Sequence, residues 1–227
     1  MSKANKSNKA IKYRLYPNDE QKVMFAKTFG CCRFVYNQLL ALQKQRYKDG
    51  ESHLSKLKSN EFATRTLKKD YDFLKEIDKF AVSNAVFHLA DAYDRFFKKQ
   101  NYFPKFKSKR KSKKSYTTNF TNNNILIGKN VIKLPKVGMV KAVIHKLPKD
   151  DWKLKSVTVS QDSVGNYFAS VLFEYEQEDI PSVSKSSTNA IGLDYKSDGL
   201  YMDSNGNKAG VHKYYRESHK KLAKEQR

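Results

Sequence analysis

The chain has 227 residues, of which 39% are hydrophobic and 13% aromatic, enough to bury a core in one large domain or two small ones. Lys and Arg number 45 against 23 Asp and Glu, a formal net charge of +22, and an excess of that size points to a polyanionic partner, because basic side chains release the counterions condensed on nucleic acid. No apolar run approaches the ~18 residues of a membrane span, and the N-terminal MSKANKSNKAIKYRLY has no apolar stretch of the kind a signal peptide needs, so a membrane partner is not expected and a cytoplasmic location is.

In chain order, residues 9–16 (KAIKYRLY) alternate between apolar and polar and predict a strand that Pro17 stops. Asn18 with Gln21 resembles a capping box, and Asp19 and Glu20 suit the positive end of a helix dipole. A helix is predicted to run to about Phe29 with Gly30 as its stop, and a second from Cys31 to Lys48, its apolar face formed by Cys32, Val35, Leu39 and Leu42. Two helices joined by one glycine also fit a helix-turn-helix, a spacing that ordinary helix pairs share. The adjacent Cys31 and Cys32 lack the gap of a zinc knuckle, and none of the five histidines pairs with Cys or Glu at ligand spacing, so no zinc site is expected. A weaker third helix covers Ser59–Lys69. A fourth, between Asp78 and Lys99, carries the clearest stripe: Ala81, Ala85, Leu89, Ala92 and Phe96.

Residues 101–116 (NYFPKFKSKRKSKKSY) break the helical pattern. Lys105, Lys107, Lys109, Arg110, Lys111, Lys113 and Lys114 follow one another with no acid between them, and Tyr102, Phe103 and Phe106 are interleaved at the front. The segment reads as a mobile linker or as a phosphate-binding arm with rings available for stacking, and in the second case it binds backbone without reading sequence. From Asn119 the period changes to two. ILIGKNVIKLP (125–135) is a hairpin about Gly128-Lys129-Asn130; residues 139–146, a segment about Val157 and Val159, and Tyr167 to Tyr175 are further strands. Several short strands separated by turns predict a small barrel that the early strand joins, which makes the helices an insertion into it. QEDIPSVSKSSTN (177–189) reads as a linker.

The segment IGLDYKSDGLYMDSNGNKAG (191–210) is the most informative. A short apolar strand ends on Asp194; Leu200 and Met202 begin a second strand; Asn205-Gly206 is a hairpin turn. It resembles the opening of an RNase-H-like nuclease core with its first metal-binding carboxylate. Two-metal phosphoryl transfer needs several carboxylates holding ions about 3.5–4 Å apart, and the chain ends at Arg227 before a sheet that supplies them is complete.

The order of motifs YRLYPNDEQ, RFVYNQLL, DKFA, FPKFK, FTNNNILIGKNVIKLPKVGMVK, IGLDYKSDGLYMDSNG and HKYYRESHKKLAKEQR, spread over residues 11–227, resembles the TnpB/OrfB family of transposon-encoded, RNA-guided nucleases related to type V CRISPR effectors. The resemblance implies an α+β fold: a β-barrel (wedge, OB-like) with its first strand in 1–17, a helical recognition insertion in 18–100, a basic arm in 101–118, the rest of the barrel and a linker in 119–189, and an incomplete RuvC-like nuclease domain in 190–227. It implies DNA and a guide RNA as partners, in a prokaryotic, nucleoid-associated setting. Asp194 matches the family's first catalytic, Mg²⁺-binding carboxylate. Lys79, Thr121 and Asn122 match positions lying against the duplex next to the target, where protein reads a short motif while guide pairing reads the rest; an Asn there can bond an adenine edge bidentately, or else only satisfy its own loop. Family members continue with a second carboxylate, a four-cysteine zinc ribbon and a third carboxylate, none of which is present. The resemblance therefore implies a truncated chain that binds DNA and RNA but neither holds Mg²⁺ well nor cuts DNA alone. The alternatives are a nuclease-deficient RNA-guided DNA-binding protein, or one half of a split nuclease completed by a second polypeptide.

Overall fold

A computed structural model describes residues 6–176, 191–195, 199–210, 212 and 214–226. The chain divides into two compact units, Met1–Glu178 and Asp179–Arg227. The fold is α+β. The predicted linker at 177–189 lies outside the described residues.

In the first unit, β1 (Lys6–Tyr16) is followed by α1 (Asp19–Lys48), α2 (Lys56–Glu61), a π-helical turn (Phe62–Leu67), α3 (Lys68–Asp70), a 3₁₀ turn (Asp72–Lys75) and α4 (Lys79–Phe97). The strands β2 (Lys114–Asn119), β3 (Leu126–Ile127), β4 (Val131–Leu134), β5 (Gly138–Val143), β6 (Lys153–Gln161) and β7 (Tyr167–Glu176) complete it. All seven strands form one antiparallel sheet in the order β2-β6-β7-β1-β5-β4-β3. Strand β1 is its spine: it pairs with β7 from Lys6 to Leu15 and, at Arg14–Tyr16, also with β5. The predicted closed barrel is not found. The sheet ends at β2 on one side and at the two-residue β3 on the other, and no pairing joins those two edges among the described residues.

Alternation decides which face of the sheet is buried. Tyr13 and Leu15 on β1, Val157 and Val159 on β6, and Ala169, Val171 and Phe173 on β7 all lie inward. At about 1.5–3 kcal/mol for each fully buried large apolar side chain, this face outweighs any single polar contact in the unit. Strand β2 falls inside the segment expected to be a basic arm. Its Tyr116 and Thr118 are buried while Lys114 stays outside, a period-two pattern that the neighbouring lysines conceal in the sequence.

The helices also correct one expectation. The box at Asn18 and Gln21 forms as predicted, with both reciprocal hydrogen bonds present. Gly30, however, does not stop the helix. Residues 19–48 are one helix of 30 residues, so no turn divides the two predicted helices. Buried Phe25, Phe29, Cys32, Val35 and Leu39 keep one face continuous through position 30, and the cost of one helical glycine, about 1 kcal/mol, is small beside that burial. The third predicted helix is present as a contiguous helical run from α2 through the π turn to α3; in the π-helical middle the Thr64 hydroxyl donates to the Asn60 carbonyl at 2.8 Å, competing with the main-chain ladder. Among the described residues no helix is long and apolar enough to cross a membrane.

The second unit contains β8 (Leu193–Tyr195), β9 (Tyr201–Asp203) and β10 (Lys208–Ala209) in an antiparallel sheet of order β10-β9-β8, and α5 (Tyr214–Glu225).

A Cβ added at Gly30 meets nothing within 4 Å. Gly30→Ala should therefore stabilise the first unit by about 0.5–1 kcal/mol, read as a higher midpoint in urea denaturation with an unchanged slope. A lower midpoint would restore the helix stop.

Candidate nucleic-acid interface

The N-terminus of α4 is fixed to β2 by buried polar contacts. Asp78 sits at the N-cap with extended backbone, yet its side chain does not cap the helix. The carboxylate instead accepts a 2.6 Å hydrogen bond from the Thr118 hydroxyl, both residues being buried. Further along α4, Asn84 Nδ2 donates to the Thr117 carbonyl at 2.9 Å and to Asn119 Oδ1 at 3.2 Å. The chain then leaves β2 through a turn that Asn124 holds: its Oδ1 accepts from the Thr121 N–H at 2.8 Å and its Nδ2 donates to the Asn119 carbonyl at 2.9 Å. Asn122 and Asn123 occupy the left-handed region, with φ of 45° and 55°, a conformation Asn tolerates better than most residues. The loop is thus satisfied by Asn124, while Asn122 is exposed and its amide has no partner among the described residues.

These contacts bring Lys79, Thr121 and Asn122 to one open cleft of about 430 Å³, to which Lys68, Lys75 and Lys136 also contribute. Lys79 places its ammonium 5.1 Å from the Phe80 ring centroid. Burial holds the Lys68 ammonium below the usual lysine range; Lys79 and Lys136 push the same way, and Asp78 opposes them. A group that is costly to keep charged next to other cations gains from an anion entering the cleft. Sequence reasoning missed Lys68 and Lys136. Lys136 lies within the 120–141 motif and Lys68 ten residues before the 78–81 motif, but nothing in the local sequence marks either as facing the cleft; the fold brings them there.

The basic segment is a folded ridge rather than a free linker. Asn37 of α1 clamps the main chain of Lys107 with two hydrogen bonds, Nδ2 to the carbonyl at 2.9 Å and Oδ1 from the N–H at 2.8 Å. Lys107 is half-buried, and its ammonium lies 4.0 Å from the Tyr36 ring centroid, with burial lowering its pKa. Serine hydroxyls then tie the following turn: Ser112 Oγ accepts from the Ser108 N–H at 2.9 Å, and Ser108 Oγ from the Lys111 N–H at 3.0 Å. Lys114 reaches Gln161 Oε1 at 3.1 Å. Lys105, Lys109, Arg110, Lys111 and Lys113 are exposed and make no ion pair among the described residues. The sequence has no acid anywhere between Asp94 and Asp150.

In the second unit Asp194 lies at the centre of β8, opposite Met202 of β9, and is exposed. Asp203 is opposite Leu193, one residue out of step with Asp194 and therefore on the other face. Its carboxylate closes the Asn205-Gly206 turn, accepting from the N–H groups of Asn205 at 2.9 Å and Asn207 at 2.8 Å and from Asn207 Nδ2 at 2.8 Å. These bonds, the Asn207 side chain first, hold its pKa below the usual carboxylate range. Among the described residues no three His, Cys, Asp or Glu side chains converge as a metal site would require.

A family model described as a helix-turn-helix domain, of the OrfB/IS605 type, matches residues 7–52. A protein of Streptomyces pristinaespiralis named "Putative RNA-guided DNA endonuclease" is 31% identical over 221 residues, covering 96% of this chain and 54% of that protein. InsQ of Escherichia coli K12, named in the same terms, is 29% identical over 225 residues, covering 96% of this chain and 52% of InsQ. The chain belongs to the TnpB/OrfB family. It spans about half the length of these two relatives. Virulence protein VsdF of Salmonella dublin is also similar, 32% identical over 111 residues, covering 44% of this chain and 93% of that protein. The TnpB/OrfB match over 7–52 falls on β1 and one unbroken helix, so the bihelical geometry in the family description is not what these residues adopt here.

Replacing the exposed Lys109, Arg110, Lys111 and Lys113 by Ala should weaken binding to every duplex sequence alike. The plot of log affinity against log salt should flatten by about 0.9 for every phosphate that these side chains neutralise. An unchanged slope would remove the ridge from the interface.

Proposed function

We propose that this chain is the DNA- and guide-RNA-binding half of a TnpB/OrfB-type RNA-guided endonuclease, and that it binds without cutting on its own. The observation that carries the reading is the cleft at the start of α4. There four lysines, Lys68, Lys75, Lys79 and Lys136, surround an exposed, unpartnered Asn122 held at positive φ by a turn it does not itself stabilise. That arrangement suits a duplex: cations meet phosphates, and a free amide can bond both the N6 and N7 positions of adenine. The ridge at 105–114 supplies further, sequence-independent charge, and guide pairing would read the remainder of the target. The domain division proposed with this reading assigns 1–17 and 119–189 to a wedge, 18–100 to recognition, 101–118 to the basic ridge and 190–227 to the start of a RuvC-like domain.

Asp194 is proposed as the first catalytic carboxylate of that last segment, and Mg²⁺ as the ion of the whole family site. The residues present do not make the site. Asp194 offers one hard oxygen ligand, the residue across from it is Met202, and Asp203 lies on the opposite face with its oxygens engaged in a turn. A two-metal site needs more carboxylates than this face provides among the described residues, so no hydrolytic step is assigned to the chain by itself.

A second reading, that a further polypeptide segment completes the nuclease half, is favoured by one observation. Ile191 and Leu193 are 56% and 61% exposed, and Tyr195 and Leu200 are exposed too, an apolar surface that a three-stranded sheet does not cover by itself.

Asn122→Gly keeps the left-handed backbone and removes the amide. It should cost about 1–3 kcal/mol on the preferred duplex and relax discrimination at one base position, measured by selection from a randomised duplex pool. Lys79→Ala should weaken all duplexes equally. Identical sequence preferences for Asn122→Gly and the parent chain would defeat the base-reading assignment. Asp194→Ala should leave duplex affinity within about twofold, since a single carboxylate facing phosphate contributes no attraction. Mg²⁺-dependent cleavage by the purified chain, abolished by Asp194→Ala, would overturn the claim that it does not cut.

A further inference from the structure

At the other end of α4 the structure has a second cleft, of different chemistry. It is an apolar groove of about 590 Å³ between the C-terminal turns of α1 and α4, walled by Tyr47, Tyr93, Phe96, Phe97 and Phe103. Tyr47 is 84% exposed and Phe97 62%. Phe103 stands edge-on to Tyr93 and Phe96, at interplanar angles of 88° and 83°; Tyr93 is buried and stacks on Phe97 at 23°, so the rings exposed to a ligand are Tyr47, Phe97 and Phe103. Lys44 lies over Phe103 and Phe106, at 5.4 and 4.7 Å from their centroids. Lys48 joins Lys44 in the lining, Lys98 and Lys99 follow Phe97 directly, and the stretch after Asp94 carries no acid.

We infer that this groove stacks unpaired nucleotides of a single-stranded RNA, a site separate from the duplex cleft. Aromatic faces and cations in alternation are what a single strand requires: bases lie on the rings while lysines follow the phosphates. An apolar peptide would fill the groove but would leave this ring of lysines unpaired. A duplex keeps its bases stacked inside and presents no free base face. The 19 residues of α4 separate the two sites by about 27 Å, more than one duplex width, so the groove meets a different strand. RNA is chosen over DNA on the rim chemistry. The Glu51 carboxylate lines the groove and is paired with the Arg46 guanidinium; its remaining lone pairs can accept from a 2′-hydroxyl, which deoxyribose does not offer. The inference rests on the proposal that the chain binds a guide RNA, and it assigns part of that RNA a place.

The test uses the full chain, a short unstructured oligoribonucleotide, the same sequence as DNA, and a blunt DNA duplex. Tyr47 and Phe97 are exposed enough that replacing both by Ala should not unfold the protein, and replacing both by Leu keeps apolar area while removing the rings. Both pairs should lower RNA affinity about tenfold or more, with duplex affinity and the salt slope unchanged. Recovery of binding by the Leu pair would mean apolar docking and would overturn stacking. An equal loss for single-stranded DNA would overturn the choice of RNA. Unchanged RNA affinity in both pairs, with duplex binding intact, would overturn this inference alone. A parent chain that binds neither RNA nor duplex would take the proposed function down with it.

Discussion

Four rings join the helices to the sheet, and the remainder of the first unit depends on that joint. Phe25 of α1 meets Tyr116 of β2 and Tyr167 of β7, and Phe29 meets Tyr116, with centroid separations of 5.4 to 6.3 Å. All four residues are buried, and burial drives the Tyr116 phenol far above its ordinary pKa. Aromatic contacts of this kind add about 0.5–1.5 kcal/mol per pair beyond area burial. More important is where they act. They hold the long helix to the two strands that flank β6, so the direction of α1, and of α4 packed on it, is set relative to the sheet edge. Without that orientation the Asp78–Thr118 bond could not form, and the α4 N-terminus would not face the Asn122 loop.

Charge is arranged around this frame rather than within it. Buried polar groups are few among the described residues and serve the architecture: Asp78 binds Thr118 and Gln43 the main chain of Leu54, while the half-buried Asn37 holds the main chain of Lys107. The cations stay outside, and the long acid-free stretch from Arg95 to Lys149 runs from the α4 C-terminus through the ridge and the Asn122 loop to the turn before β6. One stretch of sequence therefore lays positive charge along both ends of α4. This explains how a strongly basic chain keeps an ordinary hydrophobic core: like charges repel least when they are solvated and spread over one surface.

The two clefts differ in what they can discriminate. The α4 N-terminal cleft offers point charges and one free amide, which suits a duplex with paired bases and accessible groove edges. The aromatic groove offers faces and suits bases that are already unpaired. A protein that holds a duplex and a guide strand together benefits from keeping these chemistries on one rigid helix, because the spacing between them is then constant.

The amino-acid sequence alone determined what is local: the capping box at Asn18, the hydrophobic stripe of α4, the period-two strands about Val157 and Tyr167, the turn at Asn205-Gly206, and the excess of positive charge. Each rests on neighbours within a few residues, or on composition. It misled where a distant partner outweighed a local preference. Gly30 reads as a stop, yet a buried face with Phe25 and Phe29 before it and Cys32, Val35 and Leu39 after it holds both sides in one helix. Lys107 belongs to a charged run, yet Asn37, 70 residues earlier, draws its main chain into the body and Tyr36 takes its cation. Strand β2 hides among lysines because its pairing with β6, not its own composition, makes it a strand. The sheet stays open at β2 on one side and at the two-residue β3 on the other, with no pairing between them among the described residues. Which lysines surround Asn122, and which rings face outward at the far end of α4, were likewise decided only by tertiary structure, since neither grouping is contiguous in the chain and both exist only once α1 and α4 are packed against the sheet.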